Sequence, residues 1–576
     1  MMNIVERQLL ILGCSQRKRE APGLLPAIER YDGTHYRVLR NYLREREWPS
    51  NLSVAVLSAK YGLVGGLTGI EDYDERMTPQ LASEWAPVCG LTLRDWAHAH
   101  GRIHLSLGKN YLPVLARVIE HDLRDSTTII GGAIGTKASR IKQLLHETGA
   151  PMRRRPSLPE PGSGNLNYFL PDWDDLLDER FDFDADEFSG DSRSERGDKH
   201  CCVLMKPKRM CDGVLVSLAQ HVMSKGPLKR IMGTEATSLA PTNLRAQFGL
   251  DEDQSLFGDC GAFSYVNESE PTITVEQAVA LYDLHGFDFG ASVDHIPVQS
   301  IIQDGNKCVL DDAERSARVD ITKINAEWFL NLAKRRKVGF TPVGTIQALS
   351  PAGYAETARL YHEIGYRHLA IGGLVPLSDD MIEEIVIHVM AVVATLSPRP
   401  WVHLFGIFRP RLQAKFHSLK VDSFDSATYF RKAWLRSDQN YLAPNGKWYA
   451  ALRVPMTSDG RTRKRLEQSG LDISALEVQE SHVLRLLCRY DREEAGLQEV
   501  LDALIEYDEQ LTRSSDTRSL RAKYEQTLTD RPWRMCDCPF CKEAGIHILI
   551  FRGANRNRRR GAHNTLMLYG SIRQGQ

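Results

Sequence analysis

The amino-acid sequence predicts an α/β protein, a (β/α)8 barrel of the TIM type preceded by a small α/β domain with a parallel sheet. Two observations carry this. From about Cys201 to Ser426, apolar runs of strand length recur (FDFGASVDHIP, GFTPVGTIQAL, HLAIGGL, WVHLFGIF), separated by amphipathic stretches such as AGYAETARLYHEIG and SDDMIEEIVIHVMAVVATL. So many strand–helix units suggest a closed barrel, with its chemistry at the C-terminal ends of the strands. Residues 1–150 alternate in the same way on a smaller scale. RQLLILGCS, SVAVLSAKYGL and TTIIGGAIG each end in small or glycine residues, with helical patterns (YRVLRNYLRERE, PVLARVIEHDL) between them.

At 576 residues the chain is too long for one core, so two or three domains are expected. PMRRRPSLPEPGSGN is rich in Pro, Gly and Ser and reads as a linker over 151–166. An acidic, aromatic segment (PDWDDLLDERFDFDADEF, within 167–200) leads into the barrel and either wraps it or stays unstructured. The barrel is expected over 201–435. A helical insertion follows over 436–530, and a compact C-terminal unit over 531–576. No apolar run reaches the roughly 18 residues that span a bilayer. MMNIVERQLLILGCS lacks a basic leader and a cleavage site, so it reads as a buried strand. The expectation is a cytoplasmic protein without a membrane partner. Net charge is −1, which announces no polyanionic partner globally. Its distribution says more, because from Arg531 onward nine lysines and arginines face two acids.

The eleven cysteines are scattered except for Cys536-Asp-Cys538-Pro-Phe-Cys541. Three thiols within six residues can converge on one soft ion, and a structural Zn2+ needs a fourth ligand. His547 and His563 compete for that place, and spacing does not choose between them. Reduced thiols without metal are the alternative, disfavoured because close thiols capture metals and oxidise. Three aspartates close strand-like runs: Asp259 in LFGDCGAFSYV, Asp294 in GASVDHIP and Asp425 in KVDSFDSATYF. At a barrel strand end each is a site candidate, though singly such an Asp is as often a helix cap. Gly372 and Gly373 in AIGGL either permit a tight turn or bring main chain close to a planar ligand.

Taken together and in order, GDCGAF, SVDHIP, VGTIQA, AIGGL, HLFGIF, VDSFDSA, CDCPFC and a final HN resemble the tRNA-guanine transglycosylase superfamily over roughly 200–576. The FDSA and HLFG forms look most like its archaeosine-type enzymes and bacterial DNA 7-deazaguanine transglycosylases. The resemblance implies a zinc-bearing TIM barrel that exchanges guanine in a nucleic acid for a 7-deazaguanine such as preQ0. It implies Asp425 as nucleophile and Asp259 as general acid/base. Phe263 then stacks on the base, and Asp294, Gln347, Gly373 and Leu374 read its edge. Cys536, Cys538, Cys541 and His563 hold a structural zinc, which demotes His547. A homodimer is compatible with the family.

Two departures favour DNA over tRNA. Tyr429, Phe430, Arg431 and Lys432 stand where the family has PTR, and no PUA-like segment follows the HN pair. GDCGAF also has Ala262 in place of a usual glycine. Arg552, Arg556, Arg558, Arg559 and Arg560 are expected to contact the nucleic-acid backbone. The other readings are the same exchange on tRNA and a non-catalytic nucleic-acid-binding subunit, against which both aspartates argue. In the first domain, GCSQRK, LSAKYGL and DYDERM look distantly like the peroxide-stress YaaA group. Ser15, Lys18, Ser58 and Lys60 there either bind phosphate at strand ends or are solvated turns.

Overall fold

The computed structural model describes residues 6–153, 160–173, 175–219, 239–435, 438–458, 460–469, 472–512 and 517–574. The linker expected over 151–166 falls partly outside these. In the first domain, strands β1 (Gln8–Gly13), β2 (Leu52–Ser58), β3 (Gly62–Gly65), β4 (Arg102–Ser106) and β5 (Thr127–Ile129) form one sheet in the order β3-β2-β1-β4-β5. All its pairings are parallel except the β2–β3 hairpin. The nearly unbroken apolar runs of β1 and β2 follow from burial on both faces. This domain is tied to the barrel by Gln277 Nε2, which donates to the Leu24 carbonyl (2.9 Å), and by Arg153, 3.2 Å from Asp283.

Eight strands close the barrel: β6 (Asn167–Pro171), β7 (Gly213–Ser217), β8 (Ser255–Asp259), β9 (Phe289–Ala291), β10 (Thr341–Ile346), β11 (His368–Ile371), β12 (Trp401–Leu404) and β13 (Ser423–Asp425). They follow chain order, all parallel, and β13 pairs back onto β6. The barrel thus begins at Asn167, earlier than the 201 expected. NYFLP is too short to announce itself ahead of the acidic stretch, and only its pairing with β7 and β13 makes it a strand. The interior is packed with side chains. Phe169, Phe257, Phe289 and Trp401 form its floor, with Phe289 and Trp401 stacked at 5.2 Å. Along WVHLF, Trp401 and His403 point inward and stack on each other while Val402 and Leu404 join the outer core, as a period of two requires.

Helices Ile473–Asp491, Leu497–Thr512 and Thr517–Asp530 supply the expected insertion. It starts later than 436. Tyr441–Leu442 and Trp448–Tyr449 form a hairpin, and Leu452–Arg453 pairs with Ile550–Phe551, so this stretch belongs to the C-terminal unit.

The acidic segment and the basic C-terminus satisfy each other. Asp186 pairs with Arg552 (2.6 Å) and with Arg556, and the Asp178 carbonyl accepts from Arg559 (2.8 Å). The wrapping alternative for the acidic stretch is the one realised. No helix among the described residues is long and apolar enough to cross a membrane.

Candidate active site and metal centre

Three barrel strands carry carboxylates to the same mouth. Asp425 ends β13, buried to 5% exposure. Its Oδ1 accepts from the Gly406 main-chain N–H (2.7 Å) and lies 3.1 Å from His403 Nε2. Among the described residues no hydrogen bond falls on Oδ2. His403 is itself fixed by Ser423, whose Oγ is 2.7 Å from Nδ1. Burial lowers the pKa of His403, with Asp425 opposing the shift. The neutral ring therefore accepts from Ser423 and donates to Asp425.

Asp259 ends β8. Burial pushes its carboxyl up to about 7, helped by Asp294 and, across the mouth, by Asp425. The main-chain N–H groups of Gly261 and Cys260 oppose this shift. Gly261 sits at φ +84° with its absent side chain facing Ser217 Oγ, so any Cβ would collide. Asp294, just beyond β9, is also raised by burial, while Cys260 and Gln347 bond it in the opposite sense. Cys260 Sγ donates to its Oδ1 (2.9 Å), Gln347 Nε2 donates to Oδ2 (2.7 Å), and Tyr265 OH donates to its carbonyl (2.8 Å).

Gln347 Oε1 is buried and has no hydrogen-bond partner, a polar group that a bound ligand would satisfy. The glycine pair is explained by the same side chain. A Cβ at Gly372 would lie 2.3 Å from Gln347 Nε2, and one at Gly373 (φ +72°) 2.6 Å from Oε1. Leu374 is fully buried, so its side chain belongs to the core and only its main chain is left to read a base edge. Phe263 is 52% exposed, free to stack on a planar ring.

The candidate metal ligands converge as well. His563 Nδ1 lies 3.6, 3.5 and 3.4 Å from the sulfurs of Cys536, Cys538 and Cys541, all four residues being buried. A tetrahedral ion with roughly 2.3 Å bonds to sulfur and 2.0–2.1 Å to nitrogen separates such donors by about 3.5 Å. The donor set fits one soft divalent ion. His563 Nε2 is held by the Leu442 carbonyl (2.8 Å) and the ring stacks on Tyr441 at 4.1 Å, which fixes the tautomer. His547 points elsewhere, to Cys488 and Asp184, each 3.4 Å away.

The arginines expected to touch nucleic acid do not face solvent. Arg552, Arg556, Arg559 and Arg560 are 6% exposed or less. The first three pair with Asp186, Glu480 and Glu543, while Arg560 donates to the carbonyls of Ala433, Ile548 and Ile550. Arg558, half-buried, donates to the Leu176 carbonyl (3.0 Å). A run of charges reads as surface in one dimension, but this one staples the C-terminal helix to the acidic segment. In the first domain, Lys18 lies over the Tyr73 ring (4.3 Å) and Ser58 is buried against Tyr73 OH (2.7 Å). Lys60 lies 3.8 Å from Glu71, and Ser15 Oγ donates to the Arg17 carbonyl and accepts from the Gly33 main-chain N–H.

His403 and Cys260 were missed by sequence reasoning, although both lie inside motifs it quoted. The inward phase of Trp401 and His403 on a strand next to the Asp425 strand was the available signal for the first.

A closed parallel barrel with paired carboxylates at its mouth and a separate Cys3His cluster able to hold a metal ion defines a TIM-barrel protein with an enzyme-like site. The comparisons agree. No protein-family model matches the chain. A DNA-guanine transglycosylase from Salmonella montevideo is 34% identical over 414 residues, covering 71% of this chain and 96% of that protein. The tRNA-guanine(15) transglycosylases of Pyrococcus furiosus (28% over 199 residues) and Pyrococcus abyssi (26% over 193) match about a third of this chain and less than a third of their own lengths. The chain belongs to the guanine transglycosylases.

Proposed function

We propose that the protein exchanges a guanine in DNA for a 7-deazaguanine base of the preQ0 type. The observation that carries this is the division of labour between two carboxylates at one barrel mouth. Asp425 offers an unencumbered oxygen on a carboxylate oriented by His403 and Gly406, while the Asp259 carboxyl is held near neutral pKa. Asp425 attacks C1′ of the target nucleoside as the C1′–N9 bond breaks, giving a sugar ester on the enzyme. Protonated Asp259 supplies the proton that the departing guanine takes up. The incoming base gives its N9 proton to Asp259 and attacks C1′, which releases Asp425. Atoms and charge balance, and the configuration at C1′ is retained.

Phe263 stacks on the base, and Gln347 Oε1 with Asp294 accepts from its amino and imino N–H groups. The target must leave the duplex stack to reach them, at a cost of a few kcal/mol. The Cys3His centre fits zinc in a structural role, since it lies in the C-terminal unit and none of its ligands is at the barrel mouth. DNA is preferred to tRNA because the relative matched over nearly its whole length is a DNA enzyme, whereas the tRNA enzymes match over a third.

The test is incorporation of labelled guanine or preQ0 into plasmid and into bulk tRNA, side by side. Label in plasmid and little in tRNA is expected, and label in tRNA alone would overturn the DNA assignment. Asp425→Asn is expected to abolish exchange and the covalent protein–DNA adduct seen on denaturing gels while DNA binding persists. An active variant would remove Asp425 as the nucleophile.

A further inference from the structure

With the C-terminal arginines turned inward, the question is what holds the nucleic acid against the barrel mouth. Trp173 lies two residues beyond β6, the strand paired directly to the nucleophile strand β13, and is 41% exposed. Arg431 lies six residues beyond Asp425, exposed, with its guanidinium 5.3 Å from the Trp173 ring. Among the described residues Arg431 has no carboxylate partner. This contrasts with Arg552, Arg556 and Arg559, which all have one. Beside it, Lys432 lies over two rings, Trp448 at 4.3 Å and Tyr429 at 5.4 Å, and these rings touch each other at 5.2 Å. Two groups of aromatic faces and cations therefore meet at neighbouring residues Arg431 and Lys432, on the short helix Thr428–Lys432 that follows the Asp425 strand.

We infer that Trp173, Arg431 and Lys432, with the Tyr429–Trp448 pair, form a binding strip for the strand that flanks the flipped guanine. One neighbouring base stacks on Trp173, and adjacent phosphates meet Arg431 and Lys432. This rests on the reading that the barrel acts on a nucleic acid. The physical case is that every base has a face to stack and every linkage a charge to neutralise, so cations interleaved with aromatics grip a strand without reading its sequence. The strip also answers a mechanistic need. A base drawn out of the stack leaves its neighbours unstacked, and an aromatic surface at the mouth offsets part of that loss.

The molecule contains its own control. Trp328 and Arg335, on the outer helix Asp312–Arg336, form another exposed pair with the guanidinium 5.0 Å from the ring. If any exposed tryptophan–arginine pair sufficed, this one would bind equally well.

Binding of a fluorescent single-stranded oligonucleotide to the full-length protein is the measurement. Trp173→Ala is expected to weaken it roughly 5- to 100-fold, the span that base–aromatic stacking covers, with Trp173→Phe recovering most of the loss. Arg431→Gln with Lys432→Gln is expected to lower the slope of log affinity against log salt by about 1.4, near 0.7 for each lost phosphate contact. Trp328→Ala is expected to change nothing. Unchanged affinity and salt slope in the strip variants, with wild type binding and exchanging bases normally, would overturn the strip alone. A wild type that neither binds nor exchanges would overturn the proposed function instead. Circular dichroism and metal content matching wild type establish that each variant is folded.

Discussion

Replacing Asp259 by asparagine should stabilise the protein while destroying its activity, with a pH dependence that identifies the cause. Moving a carboxyl from 3.8 to about 7 makes its ionised form about 4 kcal/mol costlier in the fold than in the unfolded chain. Solvent at the barrel mouth screens part of this, so the usable figure is about 1–2 kcal/mol. The sign follows from proton counting. Between pH about 4 and about 7 the native state keeps a proton that the unfolded chain has already released, so stability falls as pH rises through that window. Above about 7 the loss is complete and the curve levels. Asparagine cannot ionise, so Asp259→Asn should match wild type near pH 4 and melt about 1–2 °C higher at pH 8. Thermal melting of both proteins across pH 4 to 8, beside base exchange at each pH, is the assay. Parallel melting curves, or a variant less stable than wild type at pH 8, would refute the strained-carboxyl argument. An Asn variant that retains exchange would refute the acid/base role.

Other expectations concern the neighbouring groups. One metal ion per chain is expected, with His563→Ala losing it and His547→Ala keeping it by elemental analysis, and the reverse result would reassign the fourth ligand. His403→Phe removes the hydrogen bond that orients Asp425, and a fall in kcat of about 10- to 100-fold with KM nearly unchanged is expected. His403→Gln, which keeps a donor, should recover part of it, and equal losses in both would show that the ring only fills space. Arg556→Ala should cost about 2–4 kcal/mol of stability, below the figure for a wholly orphaned buried charge because Arg552 still reaches Asp186. Its folded fraction should bind DNA like wild type, and a normal melting temperature with weakened binding would restore the arginine stretch to the surface.

The sequence by itself determined the barrel, the strand-end aspartates and the thiol cluster, because each is encoded within a few residues. Apolar runs of strand length mark β10 to β12 wherever they are read. Cys536, Cys538 and Cys541 lie in one loop and need no distant partner to be noticed. Asp259, Asp294 and Asp425 were visible as candidates, although only the closed barrel sets them around one mouth.

Tertiary structure decided whatever depends on contacts between distant segments. The strand Asn167–Pro171 has five residues and exists through its pairing with β7 and β13, so its membership in the barrel could not be read locally. His547 and His563 are equally plausible from spacing, and the turn of the last helix brings only His563 to the thiols. The basic run 552–560 and the acidic run 172–186 each look solvated alone. They neutralise each other because the chain brings its C-terminal helix back against the segment entering the barrel, and an ion pair buried at that seam is invisible to either sequence stretch.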